Sequence, residues 1–290
     1  MKITGIMLQR DEIDVVLFNV LHHLNTLGFS RLIIGDNGST DGSREALRRL
    51  EKRDPRLLVV DMPGEFAQAD RTNLLYQIAI DNGADWVVPL DADEFLSVNR
   101  NELNDVLKKS DDPAVHMRIR NFAQTRRAER MRMHNLASMY YAVPPSATAA
   151  DAMNYVLEGK ISFLESIYPP KYIWRADKAL LIAKGNHKAN IDLPDVKFSI
   201  DLNHAPLRSK SAISDRIVRI SRLEEGPPTQ SWHIKRLAFV DIEEEWRRSS
   251  VSNGHLDVKD TRRRLQFAPF FLKVFLKHAL SVRSLVKSAS

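Results

Sequence analysis

Along the first 125 residues, short apolar runs alternate with longer stretches whose apolar positions recur at helical spacing. ITGIML (3–8) opens on a β-branched residue and predicts a strand. From Asp14 to Leu27, the residues Val15, Val16, Phe18, Val20, Leu21 and Leu24 line one helical face, and Gly28 closes the helix. RLIIGD (31–36) predicts a second strand. NGSTDGS then forms a turn, in which Asp41 or Ser43 caps a helix running to Arg53. LLVVDM (57–62) is a third strand, Gln68–Asp81 a helix closed by Gly83, DWVVPL (85–90) a fourth strand and VHMRIRNF (115–122) a fifth. Strands alternating with helices predict a mostly parallel sheet covered on both faces. There is no internal repeat.

Open parallel sheets bind ligands at the carboxyl ends of their strands. Three polar clusters fall there: Gln9-Arg10-Asp11-Glu12 after the first strand, Asp36-Asn37-Gly38-Ser39-Thr40-Asp41 after the second, and Asp91-Ala92-Asp93-Glu94 after the fourth. Helix capping accounts for Asp41 and Ser43. A helix N-terminus, where negative charge is favourable, accounts for Asp11 and Glu12. The third cluster differs: three carboxylates in four positions repel one another and call for positive charge. Alternation points Asp91 and Asp93 the same way, as two hard oxygen ligands for Mg²⁺ or Mn²⁺ that leave room for substrate phosphates. Neither G-x-G-x-x-G nor G-x-x-x-x-G-K-[ST] follows the first strand, which weighs against a dinucleotide dehydrogenase or a P-loop enzyme.

These motifs carry a resemblance. Asp11-Glu12, His23 with Leu27-Gly28, Asp36-Asn37-Gly38-Ser39-Thr40-Asp41 and Asp85-Trp86…Asp91-Ala92-Asp93-Glu94-Phe95 resemble a family 2-type glycosyltransferase of the GT-A fold. More narrowly, they resemble its bacterial branch related to the family 92 glycosyltransferases. Pro170-Lys171, Gly185-Asn186-His187 and His204-Ala205-Pro206-Leu207-Arg208-Ser209 extend the match to residue 210.

The resemblance implies metal-dependent transfer of a sugar from a nucleotide-sugar donor to a glycan or glycolipid, with inversion. Gln9, Arg10, Glu12, Asp36 and Asn37 would lie near the nucleotide, and Arg71 and Arg208 would meet phosphate. Asp91 and Asp93, with Ala92 between them, would hold Mn²⁺ or Mg²⁺ on the diphosphate, joined by His204. The metal neutralises the leaving group without a proton transfer. Inversion requires a base on the acceptor hydroxyl. Asp177, Glu165, His187 and Asp201 are the candidates; Asp177 stands at the family's usual spacing from the metal motif, and His187 doubles as a positioning residue.

Composition adds bounds. The chain has 290 residues, 43% of them apolar, no cysteine and a net charge of +6. Disulfides and thiolate metal sites are therefore excluded. The N-terminal apolar stretch is too short for a signal peptide, and no run approaches the ~20 apolar residues of a membrane span. A cytoplasmic protein is expected, at most peripheral at the inner face of the membrane. Residues 118–132 hold six arginines against one glutamate, and the tail QFAPFFLKVFLKHALSVRSLVK is amphipathic and basic. The former suits an anionic acceptor rather than nucleic acid. The latter suits docking on the core or on an anionic membrane. The expected organisation is a GT-A domain over 1–210 (nucleotide-sugar half 1–122, acceptor half 123–210, in which VPPSATAADAMNY, 143–155, reads as a loop) and a helical extension over 211–290. The competing readings are a GT-A scaffold kept as a binding module and a Mg²⁺-dependent nucleotidyltransferase.

Overall fold

A computed structural model describes residues 1–64, 67–147, 149–193, 199–220, 240–258 and 261–287. The chain forms two compact units that interleave in sequence. The first takes residues 1–119, 170–203 and 277–290, the second 120–169 and 204–276, so the divisions fall elsewhere than at residue 210.

In the first unit, β1 (Ile3–Gln9), β2 (Arg31–Asp36), β3 (Leu57–Asp61) and β4 (Trp86–Leu90) are parallel, with β1 between β2 and β4. All five residues of β4 are buried, as required of a central strand covered on both faces. A short β5 (Glu94–Leu96) follows, then β6 (Ala114–Thr125). In the second unit β7 (Tyr141–Ala142) pairs with the end of β6. Returning to the first, β8 (Lys171–Arg175) runs antiparallel to both β4 and the start of β6, and β9 (Ser199–His204) pairs with β5. β4 and β8 pair at Trp86↔Arg175 and Val87↔Trp174, short of Pro89, which has no N–H to donate.

The helices on this sheet are α1 (Val16–Leu21), α2 (Ser43–Glu51), α3 (Gln68–Asp81) and α4 (Arg100–Lys109). The expected helix over 14–27 is divided: after α1 the chain widens into a π-helical turn, His22–Thr26, with Leu27 N–H donating to the His22 carbonyl at 3.1 Å. Gly28 (φ 73°) ends it, and a Cβ there would stand 2.6 Å from the Arg100 guanidinium. Ile6, Ile33, Tyr76, Val87 and Trp174 form one core of this unit.

The second unit contains α5 (Ala149–Leu157), α6 (Ser211–Ile220), α7 (Ile242–Ser249), β10 (Ser250–Ser252), β11 (His255–Val258), β12 (Thr261–Arg264) and β13 (Gln266–Phe267). β10 runs parallel to the end of β6, and β11 and β12 follow antiparallel. The region expected to be only helical thus carries a hairpin. Its signal is Asn253-Gly254, both at positive φ, between alternating Val251, Leu256 and Val258. The stretch expected to be loop, 143–155, contains most of α5, and a 3₁₀ turn stands before it at Met133–Ser138. Of the helical extension expected over 211–290, α6 and α7 are described, and most of the stretch between them lies outside the described residues.

A last helix, α8 (Phe270–Lys287), has no acidic residue. Phe271 packs edge-on against Phe122 within the second unit. Within the first, His278 Nε2 meets Thr26 Oγ1 at 3.2 Å and Arg49 Nε donates to the Leu285 carbonyl at 2.6 Å. Each part of the helix is thus held within its own unit. Among the described residues, no helix is long and apolar enough to cross a membrane.

Candidate active site

Because β1 lies between β2 and β4, the carboxyl ends of all three strands meet at one edge of the first unit. Gln9 pairs with Asp36, and Met7 with Leu90, directly before Asp91. Two strand spacings place Asp36 and Asp91 roughly 10 Å apart.

The loops after β1 and β2 are laced together by side chains. Asp36 is buried and accepts from the N–H groups of Gly38 and Ser39 (3.1 and 2.9 Å), from Ser39 Oγ (2.6 Å) and from the Gln9 amide. Asp11 and Asp41 accept from the N–H groups of Thr40 and Ile13, and Ser43 Oγ accepts from Glu12 N–H. The Asp36 carboxylate is thus committed inside its own turn, where it shapes the loop. Arg71, on the first turn of α3, donates to Asn37 Oδ1 and to the Met62 and Pro63 carbonyls. Gln9 Oε1 and Asn186 Oδ1 are buried without a protein hydrogen-bond partner. Asn186 lines a small recess together with Asp91, Leu90, Gln68 and Thr72.

The acidic loop after β4 is held from two sides. Within α1, the fully buried Asn19 donates its amide to three loop carbonyls, those of Glu94 (2.7 Å), Ala92 (3.0 Å) and Asp91 (3.4 Å). Its own oxygen accepts from His23 Nδ1 at 2.8 Å, which fixes the tautomer and leaves His23 Nε2 to accept from Leu96 N–H. His22 Nε2 lies 2.9 Å from the Leu96 carbonyl and donates to it. His23 Nε2 accepts only in the neutral ring, and burial drives both pKa values down, that of His22 to about 4.

The other support is Lys171, at the start of β8. Its Nζ lies 2.7 Å from Asp91 Oδ2 and 2.7 Å from Glu94 Oε2. The Lys171 and Glu94 side chains are 3% and 2% exposed, that of Asp91 45%. Burial by itself would lower the Lys171 pKa. The charges of Asp91 and Glu94 and their hydrogen bonds outweigh it and hold the ammonium above its usual value. Glu94 Oε2 also accepts from Asp91 N–H at 3.0 Å. A protein side chain therefore supplies positive charge to the acidic cluster. The Pro170-Lys171 motif does not by itself indicate this contact, and nothing in the sequence singles out Asn19.

The antiparallel course of β8 separates other expected residues. Lys171 lies at the Asp91 end of the strand. Arg175, at its other end, pairs with Trp86, and Ala176 N–H bonds the Asp85 carbonyl. Asp177 therefore sits at the amino ends of the parallel strands, where it accepts from Ala179 N–H at 2.8 Å. It does not stand at the carboxyl-end cluster, where the expected base would act. His187, after left-handed Gly185 and Asn186, bonds the Pro170 carbonyl at 3.0 Å and stays on the Lys171 side. Asp201 pairs with Arg118 at 2.6 Å.

Glu165, His204 and Arg208 belong to the second unit. Glu165 is buried in a capping box with Ser162 and also accepts from Ser146 Oγ at 3.0 Å. His204 Nδ1 lies 2.8 Å from Asn121 Oδ1. Arg208 is buried and donates to the Ala205 carbonyl. Among the described residues, no three His, Cys, Asp or Glu side chains cluster as a metal cage. Asp91 and Asp93 would be the hard oxygen ligands of a divalent cation, with the rest of its shell supplied from outside the chain.

The Glycosyl transferase family 2 model matches residues 9–162, more than half of the chain, and the chain belongs to that family. The GT-A architecture, mixed α/β around a mostly parallel sheet, accords with it. A 63-residue stretch is 38% identical to the succinoglycan biosynthesis protein ExoA of Rhizobium meliloti (strain 1021), covering 22% of this chain and 18% of ExoA. Among solved structures, S. aureus TarS 1–349 in complex with UDP-GlcNAc is 13% identical over 82% of this chain and 70% of that one, with a TM-score of 0.42. The mannosyltransferase PcManGT from Pyrobaculum calidifontis, in complex with GDP-Man and Mn²⁺, is 16% identical over 99% and 79%, with a TM-score of 0.37.

Two predictions follow from the support under the acidic loop. Asn19→Ala strips a donor from buried carbonyls and should cost about 1–3 kcal/mol in urea unfolding; a loss of a few tenths would show that the amide is idle. His22 and His278 are both depressed to about 4, chiefly by burial. Their stability contribution is complete above pH 6.5 and is lost as pH falls toward about 4, because the unfolded chain takes up these protons first. His278→Gln should flatten that pH dependence by about one proton. Equal slopes for the variant and the parent would refute the assignment.

Proposed function

We propose that this protein transfers a sugar from a nucleoside-diphosphate sugar to a glycan or glycolipid, with Mn²⁺ or Mg²⁺ and with inversion. The observation that carries the reading is the acidic loop at the carboxyl end of β4, beside the laced loops of β1 and β2. The nucleotide lies over those loops, near Gln9, Arg10, Glu12 and Asn37, in a turn shaped by Asp36. Asp91 and Asp93 hold the cation, and Arg71 stands at the rim. When bound, the cation neutralises the departing diphosphate. His187 acts on the acceptor side, as base or as the residue that orients it. Glu165, engaged as a cap, serves the second unit's geometry. In this reading the motifs are those of the branch related to the family 92 enzymes, which they resemble. ExoA, named for succinoglycan biosynthesis, supports a polysaccharide or lipopolysaccharide product.

The acceptor is anionic in this reading. Arg126 is occupied structurally, paired with Asp257 at 2.7 Å and donating to the Arg247 carbonyl. Arg127, Arg130 and Arg132 are exposed in the same loop and are the cations that meet the acceptor. The exposed face of α8, with Leu276, Leu280 and Lys277, gives peripheral contact with an anionic membrane from the cytoplasmic side.

Melting temperature should rise with UDP-GlcNAc or GDP-Man plus Mn²⁺ and rise less without the ion. Asp93→Ala should remove the metal-dependent part and leave the unliganded melting temperature in place. Retention of the full metal-dependent shift would put the cation elsewhere. Replacing Arg127, Arg130 and Arg132 together by Gln should raise the KM for an acidic acceptor glycan about tenfold or more and reduce its salt dependence. Donor hydrolysis should persist. Parallel loss of hydrolysis and transfer would move these arginines to the donor side.

A further inference from the structure

The ammonium under the acidic loop is the strongest unassigned feature of the molecule. Lysine is almost never fully buried unless paired, and here it is shared between two carboxylates of one motif. One of them, Glu94, is as buried as the lysine and serves as its permanent partner. The other, Asp91, is nearly half exposed and gives the ammonium one oxygen, Oδ2.

We infer that Lys171 is a positioning residue, the loop's resident counter-cation: it fixes Asp91 and cancels one loop charge, so that a divalent ion is taken up only together with a diphosphate. This rests on the donor reading above. Two consequences of the geometry lead to it. With Oδ2 engaged, Asp91 has Oδ1 to offer, so the loop supplies only a small part of the six oxygens that Mg²⁺ or Mn²⁺ prefers. A fixed positive charge a few Å away also repels a second cation, in surroundings where such repulsion is far stronger than in bulk water. A diphosphate changes both conditions, because it brings oxygens and negative charge. Ion and donor then arrive as one complex, at a loop that is already ordered.

A purely structural lysine would affect folding alone. The separating measurement is calorimetric titration at pH 8 with Mn²⁺ alone, then with Mn²⁺ plus UDP or GDP. The parent protein should bind Mn²⁺ alone weakly and respond strongly once UDP or GDP is present. Lys171→Met should bind Mn²⁺ alone on the order of tenfold more tightly, and Mn²⁺ alone should raise its melting temperature. Lys171→Gln, whose amide still donates to a carboxylate, should do the same and serves if the Met variant fails to fold. If the parent responds to nucleotide and ion while a folded variant binds Mn²⁺ alone no more tightly, the inference is overturned and the donor reading stands. If the parent responds to neither nucleotide, the donor reading falls, and the inference with it.

Discussion

Three carboxylates within four residues are stable beside a buried strand end only if positive charge reaches them from elsewhere in the chain. Lys171 meets that requirement. An unpaired ammonium in that position would be severely penalised, as would an unpaired Glu94; together, and hydrogen-bonded, they are tolerated. The pairing constrains much around it. β8 must run antiparallel to β4 to bring Lys171 level with the loop, and its pairing with β4 stops before Pro89.

The loop's other support is neutral. Asn19 satisfies its carbonyls, His23 satisfies Asn19, and the π-helical turn lets neighbouring histidines both reach the backbone of Leu96. Two different physical devices, a shared charge and a chain of neutral hydrogen bonds, thus fix one short segment. Such support orders the loop independently of any ligand.

Charge in the second unit is handled differently. Its arginine-dense segment divides into residues that hold structure, such as Arg126, whose backbone carbonyl also accepts from Trp246 Nε1, and residues exposed to solvent. α8 shows the same division within one helix: Phe271, Val274, Val282 and Leu285 are buried, while Leu276 and Leu280 remain outside.

Much of the fold was legible in the sequence, because strand and helix periodicities are local. The parallel strands, the helix over Gln68–Asp81 and the convergence of polar clusters at carboxyl ends all follow from short-range pattern and the rules of open sheets. The hairpin at Asn253-Gly254 was missed, because helical spacing in the flanking segments was weighed above the turn chemistry of Asn-Gly. What the sequence could not decide is which distant residues meet. Whether Lys171 or Asp177 faces the acidic loop depends on the direction of β8, set by pairing with strands about 55 to 90 residues earlier. Asn19 became a loop support only when α1 packed beneath that loop. Periodicity along the chain determined the elements and their order; burial and long-range pairing, which no local pattern encodes, decided which charge answers the carboxylates of the motif.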